Sequence, residues 1–181
     1  FRWQGAERSL IVMDAPPPQE DCRPFVKVAE LLARADVHVP QILAADLERG
    51  FLLLPDLGRQ TFLEVITPDN ADGLFADALQ ALLKFQQLPL TDGLPVYDAA
   101  LLQRELQLFP DWYVQQHLNV TLSGEQLAAW QRICTLLVDS ALAQPQVLVH
   151  RDFMPRNLMD STPNPGVLDF QDAVYGPVTY D

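Results

Sequence analysis

The sequence predicts an α+β fold of two lobes, a small strand-rich N-terminal lobe followed by a mainly helical C-terminal lobe. Three observations lead to this prediction. Short apolar stretches separated by polar turns fill most of residues 1–57. Longer segments with helical periodicity fill most of residues 58–143, and short apolar stretches return at residues 147–149 and 166–168. We therefore expect a lobe boundary after residue 57, with residues 58–181 forming the second lobe.

The N-terminal lobe is predicted to contain four strands and one helix. The strands are residues 1–3, 9–13, 39–45 and 50–54. A turn at residues 4–8, which includes Gly5, joins the first two. Pro24 suits the first turn of a helix, and apolar residues recur at helical spacing from there to residue 34.

The C-terminal lobe begins with a helical series. The helical segments are residues 61–66, 71–87, 99–119 and 123–143. Ser123 and Gln126 have the spacing of a capping box at the start of the last one. Residues 147–149 and 166–168 are then predicted to be short buried strands.

Composition excludes two classes of partner. The chain has 181 residues and a formal net charge of −12, whereas nucleic-acid binding requires a basic surface. No apolar run approaches the roughly 20 residues that cross a bilayer, and no export leader is visible. Cys22 and Cys134 have no metal-binding spacing and are expected to be free thiols. We therefore expect a cytoplasmic protein with neither a nucleic-acid nor a membrane partner.

The residues that carry chemistry follow the last two predicted strands. Asp152 and Asn157 lie five positions apart after residues 147–149, and Asp169 follows residues 166–168. An antiparallel hairpin would bring Asp169 alongside the other two. Phosphoryl transfer needs a carboxylate that orients the attacking hydroxyl and accepts its proton, and Asp152 is the candidate. It also needs oxygen ligands that hold Mg²⁺ against the phosphates of ATP, and Asn157 and Asp169 are the candidates.

These residues belong to two motifs. His150-Arg151-Asp152 with Asn157 matches the catalytic-loop pattern HRDxxxxN of kinases, and Asp169-Phe170-Gln171 resembles the metal-binding motif Asp-Phe-Gly with Gln171 in place of glycine. The resemblance implies a protein-kinase-like fold with ATP and Mg²⁺ as cofactors. It also implies a hinge whose backbone meets adenine, and the hinge residues expected to bind the nucleotide are Leu54, Asp56 and Leu57.

The length of the interval between the hinge and the catalytic loop indicates which group of kinases the chain resembles. The interval spans 92 residues, 58–149, which is longer than in most protein kinases and similar to aminoglycoside phosphotransferases and choline kinases. Residues 11–17, 50–58, 166–173 and 175–181 resemble, more specifically, bacterial cell-wall sugar kinases. That resemblance implies phosphorylation of N-acetylmuramate and N-acetylglucosamine at the anomeric hydroxyl in peptidoglycan recycling.

The sequence departs from the kinase pattern around the phosphates. The usual strand lysine is missing near Met13, and no glycine-rich loop is visible. Because that loop and the distal C-terminal helices of such kinases are not seen, we expect both lobes to be incomplete. Arg2 is the nearest cation for a phosphate, with a solvated strand arginine as the alternative. Arg156 is placed to neutralise charge on the transferred phosphoryl group, or else it faces outward and bonds to Asp160 or water.

The acceptor is expected to meet aromatic and acidic side chains. Aromatic rings pack against the apolar faces of a sugar ring, and carboxylates bind its hydroxyl groups. The candidate residues are Glu105, Trp112, Tyr113 and Asp172. Each has a structural alternative, since an aromatic stripe at helical spacing is usually core, as expected for Phe109, and Asp172 could cap a turn.

Two other functions stay open at this point. An aminoglycoside or choline could be the acceptor on the same scaffold, and the acidic composition suits the aminoglycoside. Alternatively, the chain could be a pseudokinase that binds nucleotide without catalysis, as the missing lysine suggests. The intact set of Asp152, Asn157 and Asp169 opposes that alternative.

Overall fold

The structure is a computed structural model that describes residues 1–5, 9–89 and 93–181. The chain divides into two compact units. The first comprises Phe1–Pro89, His150–Ala173 and Asp181, and the second comprises Leu90–Val149 and Val174–Tyr180. The lobe boundary after residue 57 stays a prediction.

A four-stranded antiparallel sheet forms the start of the first unit. Its strands are β1 (Arg2–Gln4), β2 (Ser9–Asp14), β3 (Ala44–Asp46) and β4 (Phe51–Pro55), in the order β1-β2-β4-β3. Strand β4 lies between two partners and alternates in burial, with Leu52 and Leu54 in the core. These two side chains therefore anchor the strand that leads into the predicted hinge.

Three of the four predicted strands are confirmed. The strand predicted at residues 39–45 is wrong over most of its length, because only Ala44–Asp46 pairs with β4. Pro40 lacks a backbone N–H and cannot donate to a ladder. Val39 and Pro40 are buried without forming a strand. The turn predicted at residues 4–8 falls partly on residues 6–8, which lie outside the described residues.

Gly50 allows β2 and β4 to approach closely. Its φ angle is +77°, and a Cβ atom at this position would lie 2.0 Å from the carbonyl oxygen of Ala15. The same approach supports a hydrogen bond of 2.9 Å from the Ala15 amide to the Gly50 carbonyl. A side chain at position 50 would therefore require the backbone of Ala15 and Pro16 to move.

Gly50→Ala is therefore expected to lower the free energy of unfolding of the full-length protein by roughly 2–4 kcal/mol. Gly73→Ala is the matched control, because a Cβ on that helical glycine meets nothing within 4 Å. The control should stabilise by about 0.5–1 kcal/mol. Urea unfolding of both variants measures the difference, and equal stabilities would contradict the steric argument.

Three helices complete the N-terminal part of the first unit. They are α1 (Arg23–Arg34), α2 (Phe62–Val65) and α3 (Ala71–Gln86). Helix α1 buries Phe25, Val28 and Leu32 at helical spacing. Helix α2 begins with a capping box in which Glu64 accepts from the Thr61 amide at 2.7 Å. All three helices match the predicted segments.

The second unit contains two long helical segments. Helix α4 spans Ala99–Leu108, a wider π-helical segment spans Phe109–His117, and α5 spans Gly124–Leu142. The sequence predicted helix throughout residues 99–119, whereas the turns widen immediately before Pro110, which cannot donate a backbone hydrogen bond. The predicted capping box at Ser123 and Gln126 is confirmed.

The short strands that flank the predicted catalytic and metal-binding residues pair differently from the prediction. Strand β5 (Gln146–Val149) pairs with β8 (Val174–Pro177), and β6 (Leu158–Met159) pairs with β7 (Gly166–Val167). The predicted strands at residues 147–149 and 166–168 exist but are not partners. Asp169 instead approaches Asn157 through the β6–β7 hairpin, which Leu168 extends by donating its amide to the Asn157 carbonyl at 2.9 Å.

Within the ranges that the structure describes, every helix is too short or too polar to cross a bilayer.

Candidate functional site

An apolar cavity of about 260 Å³ lies at the end of β4, in the first unit. It is lined by Arg2, Ile11, Pro40, Leu54, Pro55, Asp56, Leu57, Gly58, Met159 and Leu168. All the predicted nucleotide-binding residues therefore line this cavity, namely Arg2, Leu54, Asp56 and Leu57. Leu168 also lines it, and this residue directly precedes Asp169. Aliphatic walls of this kind suit the flat faces of an aromatic ring such as adenine.

A second cavity of about 270 Å³ is bordered by α1, α3 and the β6–β7 turn. It is slightly larger, but it contains none of the residues with predicted chemistry. We therefore locate the nucleotide-binding candidate at the first cavity, which is lined by the predicted hinge residues and by Leu168.

Arg2 is held by the hinge. Its guanidinium bonds to both carboxylate oxygens of Asp56, at 2.8 and 2.9 Å, and to the Gly58 carbonyl at 2.5 Å. Burial opposes ionisation of Asp56, but hydrogen bonds from Ser9 and the Gly58 amide, together with the charge of Arg2, lower its pKa overall. Arg2 thus shapes the wall of the cavity, and phosphate contact by Arg2 remains a prediction.

His150 fixes the start of the catalytic loop. The residue is fully buried, its Nε2 lies 2.9 Å from the Leu168 carbonyl, and its Nδ1 lies 3.3 Å from the Asp152 amide. Because an amide must donate, Nδ1 accepts and Nε2 carries the proton. Burial lowers the pKa of His150, so the neutral ring ties the residue before Asp169 to the catalytic loop.

Asp181 is a functional candidate that the sequence reasoning missed. Its carboxylate accepts hydrogen bonds from the amides of His150 at 2.6 Å and Arg151 at 2.9 Å. Burial raises the pKa of Asp181, although these two bonds oppose the rise. The partners lie about 30 positions apart, so no local spacing could reveal the contact. The side chain supports the backbone immediately before Asp152.

The structure brings the predicted metal ligands together. The Nδ2 of Asn157 donates to the Asp152 carbonyl at 2.9 Å and lies 3.3 Å from Oδ2 of Asp169. Within the described residues, no hydrogen bond reaches Oδ1 of Asn157, so that oxygen is available to a cation. An amide oxygen and an exposed carboxylate are the hard ligands that Mg²⁺ takes alongside phosphate oxygens. The residues present therefore fit a magnesium–nucleotide complex.

The backbone around this cluster is unusual. Arg151 and Asp169 have φ angles of +81° and +64°, in the left-handed region that side chains rarely adopt. Phe170 stabilises the backbone conformation of Asp169. Its side chain is fully buried and stacks on Phe25 of α1, with ring centroids 4.7 Å apart. The carboxylate of Asp169 is exposed while its neighbour is anchored in the core.

Arg156 lies in a single helical turn, Pro155–Asn157, between Asp152 and strand β6. Its side chain is exposed, and no ion pair joins it to Asp160 in the part of the chain that the structure describes. The alternative of an outward-facing arginine therefore stays open with water as its partner, but not with Asp160. A role toward the phosphoryl group stays a prediction.

If Arg156 stabilises the transition state, Arg156→Ala should lower kcat by about 10²-fold with little change in either KM, because the interaction strengthens only as charge develops. Arg132→Ala, an exposed arginine on α5, is the control. Steady-state kinetics on the full-length chain measures both. A loss confined to KM would make Arg156 a ground-state anchor, and an unchanged rate would favour the solvated alternative.

The predicted acceptor residues mostly lie in the second unit. Glu105 accepts hydrogen bonds from the hydroxyls of Tyr97 and, at 3.3 Å, Tyr180. Burial, followed by the bond to Glu105, raises the pKa of Tyr97. Trp112 is exposed over 66% of its surface. These contacts give Glu105 a structural role, and its role in binding an acceptor stays a prediction.

Tyr113 belongs to an aromatic stack. It stacks on Phe109 and on His117, each with ring centroids 5.5 Å apart, and Phe109 also contacts Trp130. Phe109 is nevertheless about half exposed, so it is not core within the described residues. Asp172, in the first unit, is exposed. Acceptor binding by Trp112, Tyr113 and Asp172 remains a prediction.

The sequence is similar to a known protein family and to several curated proteins. The profile of the phosphotransferase enzyme family matches residues 1–181. The N-acetylmuramate/N-acetylglucosamine kinase of Pseudomonas putida is 71% identical over 181 residues, which cover 100% of this chain and 53% of the relative. The protein of the same name from Neisseria meningitidis is 42% identical over 96% of this chain and 52% of its own length. The chain thus spans about half the length of the curated relatives it matches.

Solved structures share the fold at low identity. A streptomycin–ATP complex of APH(2")-IIa has a TM-score of 0.64 at 16% identity, covering 100% of this chain and 68% of that one. Choline kinase LicA from Streptococcus pneumoniae has a TM-score of 0.65 at 12% identity, covering 98% and 60%. The predicted α+β, protein-kinase-like fold is confirmed. The match of the family profile to residues 1–181 shows that the chain belongs to the phosphotransferase enzyme family.

Proposed function

We propose that this chain is the nucleotide- and metal-binding part of an ATP-dependent small-molecule kinase. The acceptor we propose is the anomeric hydroxyl of N-acetylmuramate or N-acetylglucosamine. The observation that carries the kinase assignment is the cluster of Asp152, Asn157 and Asp169 next to the apolar hinge cavity. The acceptor is supported by the names of the 71% and 42% identical relatives.

The nucleotide base is expected to lie between aliphatic side chains of the hinge cavity. Pro55 offers a carbonyl but no N–H at the hinge, and Leu54 and Leu168 supply apolar surface. From there the phosphates would extend past Leu168 toward Asp169. When bound, Mg²⁺ would neutralise charge on the phosphates, with Asn157 and Asp169 as its protein ligands.

Asp152 is expected to act on the acceptor. Its carboxylate is exposed, while His150 and Asp181 fix the backbone on its N-terminal side. A carboxylate held this way can accept a hydrogen bond from the attacking hydroxyl and take its proton as the new bond to phosphorus forms. Arg156 would neutralise part of the charge on the transferred group.

An acceptor screen on the full-length chain tests the proposal. ADP release is measured with ATP, Mg²⁺ and each of N-acetylmuramate, N-acetylglucosamine, an aminoglycoside or choline. We expect turnover with the two amino sugars and ³¹P NMR signals of their 1-phosphates. Turnover with only the aminoglycoside or choline would overturn the acceptor, and nucleotide binding without turnover of any acceptor would favour the pseudokinase.

A further inference from the structure

Gln171 stands where the kinase metal motif has glycine, and its side chain has a defined contact. The Nε2 of Gln171 donates a hydrogen bond of 2.8 Å to Oδ1 of Asp169. Glycine has no side chain and cannot make this bond. The replacement therefore adds a donor at the metal-binding carboxylate.

Asp169 needs such a partner because its backbone is fixed but its side chain is not. The backbone is held by the buried Phe170 on one side and by the bonds of Leu168 to Asn157 and His150 on the other. The carboxylate itself is exposed. Without a donor, an exposed carboxylate rotates between rotamers, and a metal must then bind against that loss of freedom.

The two amides that hold this carboxylate differ. Asn157 reaches Oδ2 of Asp169 at the longer distance of 3.3 Å and also bonds to the Asp152 carbonyl. It is moreover a predicted metal ligand through its own oxygen. The bond from Gln171 is shorter and goes to the opposite oxygen, so Gln171 can keep it while Asn157 binds a cation.

From this arrangement we propose that Gln171 is a positioning residue for the metal site. Its amide holds the carboxylate of Asp169 in the orientation that receives the magnesium–nucleotide complex. The inference rests on the proposed kinase function, because it assumes that Asp169 binds Mg²⁺. Partners that orient a metal ligand in this way typically change metal affinity by 10- to 100-fold when they are removed.

The test measures magnesium binding without turnover. A fluorescent ADP analogue is titrated with Mg²⁺ on the full-length protein, its Gln171→Met variant, which removes the donor but keeps the size, and a Gln131→Met control on α5. We expect the Mg²⁺ concentration for half-maximal binding to rise roughly tenfold in Gln171→Met. The metal-free affinity for the analogue should stay within about twofold of that of the unmodified protein, because Gln171 contacts Asp169 and acts through the metal.

Each outcome has a distinct meaning. An unchanged magnesium requirement in Gln171→Met overturns the inference, as does an equal loss of metal-free nucleotide affinity, which would indicate a general structural defect. Gln171→Gly restores the kinase motif, and it should reproduce the tenfold shift if the methionine variant does not fold. Nucleotide binding that is independent of Mg²⁺ in the unmodified protein would instead overturn the proposed function.

Discussion

Asp152→Asn is expected to lower kcat by roughly 10²- to 10⁴-fold, the usual contribution of a general base, while nucleotide binding is retained. Asparagine keeps the shape and the hydrogen bonding of the side chain but removes its charge and its basic lone pair. An anomeric hydroxyl is more acidic than an ordinary alcohol. The base therefore needs little driving force, and its position matters more than its pKa. Single-turnover kinetics and equilibrium binding of ADP, both on the full-length chain, separate the two effects.

The control for this variant is Asp160→Asn, an exposed carboxylate that directly follows β6, which should leave the rate unchanged. A 1-O-methyl glycoside of the sugar has no free anomeric hydroxyl and should not react. Turnover of the glycoside, or phosphate at the 6-position, would overturn the anomeric acceptor while leaving the kinase assignment standing. A full rate in Asp152→Asn would remove the residue from the role of base.

Asp169→Ala is expected to abolish turnover and Mg²⁺-dependent nucleotide binding together. Since removing a residue that only supports a metal ligand costs 10- to 100-fold in affinity, removing the ligand itself should weaken Mg²⁺ binding by more than about 100-fold. Asn157→Ala should weaken both properties less, because a neutral amide contributes less than a carboxylate. Titration of a fluorescent ADP analogue with Mg²⁺ measures the loss.

The exposed Asp139 on α5 provides the control for this experiment, and Asp139→Ala should bind Mg²⁺ and nucleotide normally. Unchanged activity in Asp169→Ala would contradict the metal assignment. An equal change in the Mg²⁺ requirement of Asp169→Ala and Asp139→Ala would also contradict the metal assignment.

The parts of the site that sequence could predict are those encoded by short spacing. Asp152, Asn157 and Asp169 lie within two motifs, and the structure joins them through Asn157. The end of β4 at Pro55, where the hinge is predicted, could be read from an apolar stretch that leads into a proline. In contrast, β6 and β8 have two and four residues, too few for a periodic signal, so the strand pairing was predicted incorrectly.

Contacts between distant positions could not be predicted at all. The bonds from His150 and Arg151 to Asp181 depend on how the chain folds back, and the ion pair between Arg2 and Asp56 joins residues 54 positions apart. The widened turns after α4 were also missed, because proline is tolerated at the start of many helices and does not by itself indicate a change of hydrogen-bonding pattern.

The left-handed conformation of Asp169 creates a trade-off between the stability of the protein, and hence its abundance in the cell, and its activity. Glycine adopts this conformation freely, so Asp169→Gly should relieve on the order of 1 kcal/mol of backbone strain. A strained functional residue of this kind costs stability, and the side chain is retained because activity depends on it. In a mutational library of the full-length protein, we therefore expect glycine at position 169 to be enriched among cells sorted for high expression. The same codon should disappear when survival depends on phosphorylation of the sugar.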